Sequence, residues 1–271
     1  MGVGLQVASL FVGLQAAQMQ KQAYEAQAAA YEEQKEMAKI EAAQQESSRR
    51  DVLRRQLASL GTSMSSQGVA LGTSPSVLAL ADELGGKALI GNVTDPDDLQ
   101  NLVDLAIESY DQVDAVINNT GHPPKGELLE ITDGDWRYAF DLLLMNVVRM
   151  CRLVVPLMLK NGGGVIVNIS SFGAEEPNLA FPTSSTIRAG LSAYVKLFAD
   201  KYGKDEIRMN NLLPGFVDSY HVNDEIRSAI PLGREAAVSE IAKIVAFLLS
   251  EEASYITGQN IRADGGLGRS M

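Results

Sequence analysis

From Val77 onward, short apolar runs alternate with stretches of helical period, and this alternation limits the possible folds most sharply. "KALIGNV", "DAVIN", "GVIVNIS", "IRMNNLL" and "ITGQNIRADGG" read as strands. Between and around them, "SVLALADEL", "TDPDDLQNLVDLAIESY", Asp133 to about Leu159, Pro182 to about Tyr202 and "AVSEIAKIVAFLLSE" read as helices. In the second of these, Thr94 is placed to cap, Pro96 suits the first turn, and Asp97 and Asp98 complement the helix dipole. Strands separated by helices must run parallel, and both faces of a parallel sheet must be covered. Residues 77–271 are therefore expected to form one α/β domain.

The text before Val77 is different. Leu14 to Leu60 contains neither Gly nor Pro and is rich in Ala, Gln, Glu, Lys and Arg, all good helix formers. A single helix of that length spans about 70 Å at ~1.5 Å per residue, so it must project, fold back or pair with copies of itself. "GTSMSSQGVALGTSPS", Gly61 to Ser76, reads as a Gly/Ser/Thr linker. The expected organisation is a helical extension over 1–60, a linker over 61–76 and the α/β domain over 77–271.

Charge narrows the partners. Residues 1–76 carry seven basic and seven acidic side chains, so the whole net charge of −11 falls on residues 77–271. A nucleic-acid partner is not expected, because a sequence-independent binder needs a basic face to displace counterions. The one cysteine, Cys151, lies in the apolar run "LLLMNVVRMCRLVV" and is read as a small buried hydrophobe in a reducing, cytoplasmic setting. Gln6, Ser9 and Gln15 interrupt the apolar N-terminus, so no integral membrane span is expected there. The scattered His122, His221 and Cys151 form no metal constellation.

Five ordered motifs resemble the short-chain dehydrogenase/reductase family. "NNTG" (Asn118, Asn119, Thr120, Gly121) is similar to the family's Asn-Asn-Ala-Gly after its fourth strand. "MNVVRMC" places Asn146, "NISSFG" places Ser171, "LPGF" places Pro214 and Gly215, and "ITGQNIRADGG" is similar to the family's last strand. The resemblance implies a Rossmann-like parallel sheet with helices on both faces, NAD(P) as cofactor, and a small carbonyl or alcohol as substrate. It implies catalytic positions at Asn146, Ser171, Ser184 and Arg188. Cofactor contacts are implied at Asn92, Asn118, Gly121, Arg188, Pro214 and Gly215. It also implies a homo-oligomer joined through the long helices and the last strand.

Two departures stand against the implied chemistry. Thirteen residues after Ser171, where the family carries Tyr-x-x-x-Lys, this chain has Ser184 and Arg188. A serine hydroxyl is a far poorer acid than a phenol and reaches less far. An arginine presents a fixed fork in place of a lysine's point charge. Between Leu14 and Asn118 the glycines are Gly61, Gly68, Gly72, Gly85, Gly86 and Gly91, none in the strand–Gly-rich turn–helix setting that receives a pyrophosphate. The sheet is thus expected to be N-terminally truncated, leaving "KALIGNV" and "DAVIN" to pair directly or leaving a raw edge. NAD(P) binding is expected to be weak or lost and the family activity impaired. His122 and His221, on loops after strands, are candidate replacements for the missing acid, since imidazole titrates near neutrality.

Residues 1–82 resemble, in composition, small internal virion proteins of tailed phages; a generic helical extension is the other reading of the same stretch. The alternative function is accordingly a non-catalytic oligomeric scaffold or a phage virion-associated protein.

Overall fold

The computed structural model describes residues 69–72, 86–219 and 222–269, all within one compact unit, Val52–Met271. The expected helices over Leu14–Leu60 and "SVLALADEL", the rest of the expected linker, and His221 lie outside the described residues.

Four parallel strands form the main sheet in the order β3-β4-β5-β6: β3 is Ala115–Asn119, β4 Gly164–Ile169, β5 Ile207–Pro214 and β6 Asn260–Ala263. A separate two-stranded parallel sheet pairs β1, Val69–Gly72, with β2, Lys87–Ile90. One expectation changes here: Val69–Gly72 falls within the expected linker but forms a strand, because a four-residue Val-Ala-Leu-Gly run needs only the backbone edge that β2 offers. Of the two expected alternatives for "KALIGNV" and "DAVIN", the raw edge is the one found: β2 takes β1 as its partner, and β3 is an edge of the main sheet among the described residues.

Helix α1 (Pro96–Tyr110) follows β2. Its N-cap is Asp95, whose carboxylate accepts from the Asp97 N–H at 2.9 Å; the expected cap, Thr94, donates its hydroxyl to Asn92 Oδ1 instead. The expected single helix after Asp133 is α2 (Asp133–Phe140), a π turn (Asp141–Met145) and α3 (Asn146–Asn161) run together. The stretch Asp133–Asn161 is, by length and composition, long and apolar enough to cross a membrane, but half of its most apolar window is buried within the protein. It is spent on the core. Helix α4 (Pro182–Tyr202) sits over the same face of the sheet. Leu99 and Val103 of α1, Val147, Cys151, Val154 and Met158 of α3, and Leu191, Val195 and Phe198 of α4 bury against Ile166 and Met209.

The opposite face is covered by α6 (Val238–Leu249), whose Ile241, Val245 and Leu248 pack on Val167 and Leu212. The short α5, Asp224–Ala229, went unseen in the sequence. Residue pairing shows where coverage ends. Ile117 stands beside Val167, on the α6 side, yet is 50% exposed. Among the described residues its strand is the edge of the sheet.

Candidate functional site

In a parallel sheet, ligand-binding groups gather at the carboxyl ends of the strands. Here those ends are Asn118–Gly121 after β3, Ser170–Ala174 after β4 and Pro214–Phe216 after β5, with the first turn of α4 beside them.

The strands are tied by a ladder of asparagines. Asn118 Nδ2 donates to Asn168 Oδ1 at 2.8 Å, Asn168 Nδ2 to Asn211 Oδ1 at 3.0 Å, and Asn211 Nδ2 to Asn260 Oδ1 at 2.9 Å. Each pair is in register on neighbouring strands, so one amide per strand forms a transverse chain of hydrogen bonds. Asn168 and Asn211 are buried, and each amide satisfies the next. Of the four, only Asn118 is singled out by the sequence, and nothing local signals their alignment.

Ser171, half-buried, accepts at Oγ from the Gly173 N–H at 3.2 Å. A methyl group placed on Gly173 would lie 3.6 Å from Ser171 Oγ and 3.2 Å from Ser185 Oγ, so Ser171 lies close to the first turn of α4. Ser184 and Arg188 meet, as i and i+4 on a helix must: Arg188 Nε donates to Ser184 Oγ at 3.2 Å. Arg188 Nη1 donates to the Ile169 carbonyl at 3.0 Å, tying α4 to the end of β4. Burial pulls the guanidinium down to about 10, and it stays charged at neutral pH. Thr183 Oγ1 donates to the Pro124 carbonyl at 2.6 Å and fastens α4 to the loop after β3, a contact the sequence does not signal.

Asn146 opens α3 directly after the π turn and is buried; its Oδ1 accepts from the Val147 N–H at 2.6 Å. Such π turns are frequent at functional sites. No hydrogen bond joins Asn146, Ser171 and Ser184 to one another among the described residues. Pro214 ends β5, and Gly215 donates to the Ala263 carbonyl at 3.1 Å. Only glycine fits there, since a Cβ would come within 2.8 Å of Asp264 Cα. Gly121 is exposed with open space around it, and His122 is exposed on the same loop. Asn92 is exposed and its Oδ1 is engaged by the Thr94 N–H and hydroxyl, a local turn before α1. Cys151 is buried in the core, its thiol pushed up to about 12 chiefly by burial, in agreement with an inert packing role.

At Phe172, the residue after Ser171, lies a cavity of about 420 Å³ lined mainly by Phe172, Phe181, Phe216, Ile226 and Leu267, with Glu176 also on its wall. Phe172 packs edge-on against Phe181 and tilted against Phe216. A cleft of about 470 Å³ between α1 and α3, lined by Val103, Ile107, Arg152 and Leu153, is away from the carboxyl ends of the main sheet and lacks this constellation. The aromatic cavity is the candidate ligand site.

The residues divide when tested against a dinucleotide. Asn118, Ser171, Pro214 and Gly215 are held at the sheet ends where a nicotinamide half lies in such a fold. For the pyrophosphate, the described residues show no Gly-rich turn at a helix N-terminus beside β3, which is an edge among them; Gly91, between β2 and α1, is a single glycine, and the residues that follow β1 at Gly72 lie outside the described ones. Among the described residues, the groups placed for a dinucleotide are those at the ends of β3, β4 and β5.

A family model described as enoyl-(acyl carrier protein) reductase matches residues 55–268. The chain is 32% identical over 201 residues to the 3-oxoacyl-(acyl-carrier-protein) reductase FabG of Thermotoga maritima, covering 71% of this chain and 82% of that protein. It is 32% identical over 198 residues to the Escherichia coli protein of the same name, covering 70% and 81%. Among solved structures it resembles a 7 alpha-hydroxysteroid dehydrogenase complexed with NADH and 7-oxo glycochenodeoxycholic acid, with TM-score 0.67, 30% identity and coverage of 73% and 83%. It also resembles the L-sorbose reductase of Gluconobacter frateurii complexed with NADPH and L-sorbose, with TM-score 0.66, 27% identity and coverage of 75% and 87%.

Proposed function

Because the chain belongs to the short-chain dehydrogenase/reductase family, we propose that it is a Rossmann-like oxidoreductase whose NAD(P)-linked carbonyl/alcohol chemistry is impaired. The relatives' names and bound molecules support a small carbonyl or alcohol as the substrate class and NAD(P) as the family's cofactor. The aromatic cavity at Phe172 supports an apolar substrate body. Ser171 is the residue we assign to orient a carbonyl oxygen, with Asn146, Ser184 and Arg188 at the other family positions, and Asn92, Asn118, Gly121, Pro214 and Gly215 on the cofactor side. One observation carries the impairment: the serine at position 184 gives its oxygen to Arg188, so no phenol stands ready to exchange a proton at the carbonyl.

The magnitudes agree with impairment. Losing two or three charge-assisted hydrogen bonds to a pyrophosphate, each about 1.5–3 kcal/mol, weakens dinucleotide binding by roughly 2 to 6 powers of ten. A positioned general acid is typically worth about 10² to 10⁴ in rate. We place the chain in the reducing cytoplasm, which suits its one buried thiol, and read it as a homo-oligomer. The test is NADH and NADPH fluorescence titration, with oxidation assayed on small ketones and 3-oxoacyl esters. We expect no saturation at sub-millimolar cofactor and no turnover, and the S184Y/R188K double variant should not restore it. Clear turnover by the unmodified chain overturns the impairment and makes His122 and His221 the first residues to replace.

A further inference from the structure

Arg188 is a buried cation with no counter-charge among the described residues. It is 6% exposed, and its two partners, the Ile169 carbonyl and the Ser184 hydroxyl oxygen, are both neutral. None of the ion pairs among the described residues includes it. Arg208, also buried, differs: two carbonyls hold it and the charge of Glu251 acts on it. Burying a charge is costly unless it is paired, so a guanidinium held this way calls for an anion from elsewhere.

The surroundings supply further donors. Arg188 Nη2 has no acceptor among the described residues, yet it is not sealed from solvent. The only fully buried side-chain N or O atom without a partner among them is Ser170 Oγ, one residue beyond the carbonyl that Arg188 grips. Ser184 Oγ accepts from Arg188 Nε, which leaves its own proton free to donate. Helix α4 begins without a side-chain cap; Pro182 has no N–H and the Ser185 N–H bonds the Phe181 carbonyl, which leaves the Thr183 and Ser184 N–H groups at the positive end of a 21-residue helix.

We propose that Arg188 and Ser184, with the first turn of α4, bind an oxyanion: a carboxylate or phosphoryl group of a small ligand. These are the residues that the proposed function places at the family's catalytic positions, but binding an oxyanion there needs neither a bound dinucleotide nor a proton transfer. Inorganic phosphate and a short-chain carboxylate are the two simplest ligands that carry such a group.

The experiment is isothermal titration of the full chain with sodium phosphate and with sodium hexanoate, against sodium chloride at matched ionic strength. Saturable binding of one or both oxyanions is expected. In Arg188→Gln the affinity should fall at least tenfold; this variant removes an uncompensated buried charge, and circular dichroism checks its fold. Ser184→Ala should weaken binding severalfold while Arg188→Lys retains part of it. Heats indistinguishable from chloride, or affinities unchanged in both Arg188→Gln and Ser184→Ala, overturn the proposal. Because NADH binding is measured separately, oxyanion binding with or without dinucleotide binding distinguishes this site from the redox reading.

Discussion

Replacing Asn168 with alanine tests whether the asparagine ladder holds the site together. The substitution removes two hydrogen bonds, one from Asn118 Nδ2 at 2.8 Å and one to Asn211 Oδ1 at 3.0 Å. Asn211 is fully buried, so its carbonyl oxygen loses a partner that water cannot replace; an unsatisfied buried group costs about 1–3 kcal/mol. Asn118 is half-buried on the edge strand, so water can take over its lost bond, and about 0.5–1.5 kcal/mol is the expected loss there. The sum for N168A is roughly 2–4 kcal/mol. N118A removes one bond and strands one buried acceptor, Asn168 Oδ1, and should cost about 1–3 kcal/mol, less than N168A. Urea unfolding followed by circular dichroism gives both values. A loss below about 1 kcal/mol for N168A, or a loss for N118A larger than that for N168A, would refute the ladder as a stabilising network.

Gly215→Ala should destabilise by about 1–3 kcal/mol in the same urea assay, because its Cβ meets the Asp264 backbone at 2.8 Å and backbone cannot step aside. Cys151 should stay unlabelled by a thiol reagent in the native protein at pH 8 and react fully in denaturant, since burial keeps the thiol protonated. The Arg234 guanidinium and the Ala237 N–H hold Glu240 down to about 2, so its contribution to stability is present above the ordinary carboxylate range and lost as pH falls through the folded value. The urea-midpoint gap between wild type and Glu240→Leu should therefore shrink between pH 6 and pH 2. Leu159 on α3 and Leu197 on α4 are 46% and 68% exposed, in keeping with self-association through these helices. Sedimentation at micromolar concentration should show a homo-oligomer, and a monomer would count against that reading.

What the sequence determined by itself was local. Helix α4 runs over Pro182–Tyr202 as its pattern says, and the spacing of Ser184 and Arg188 guarantees their contact because four residues make one helical turn. The alternation of strand and helix periods likewise determines a parallel α/β sheet. Strand register was another matter. Asn118, Asn168, Asn211 and Asn260 lie 43 to 50 residues apart, and no local periodicity says that they share one transverse line. That alignment exists because four separately packed strands come to rest in a single register. The choice of β1 as the partner of β2, the open edge at β3 and the isolation of the Arg188 charge are of the same kind. Each depends on which distant groups are brought near and which are kept away, and only tertiary packing decides that.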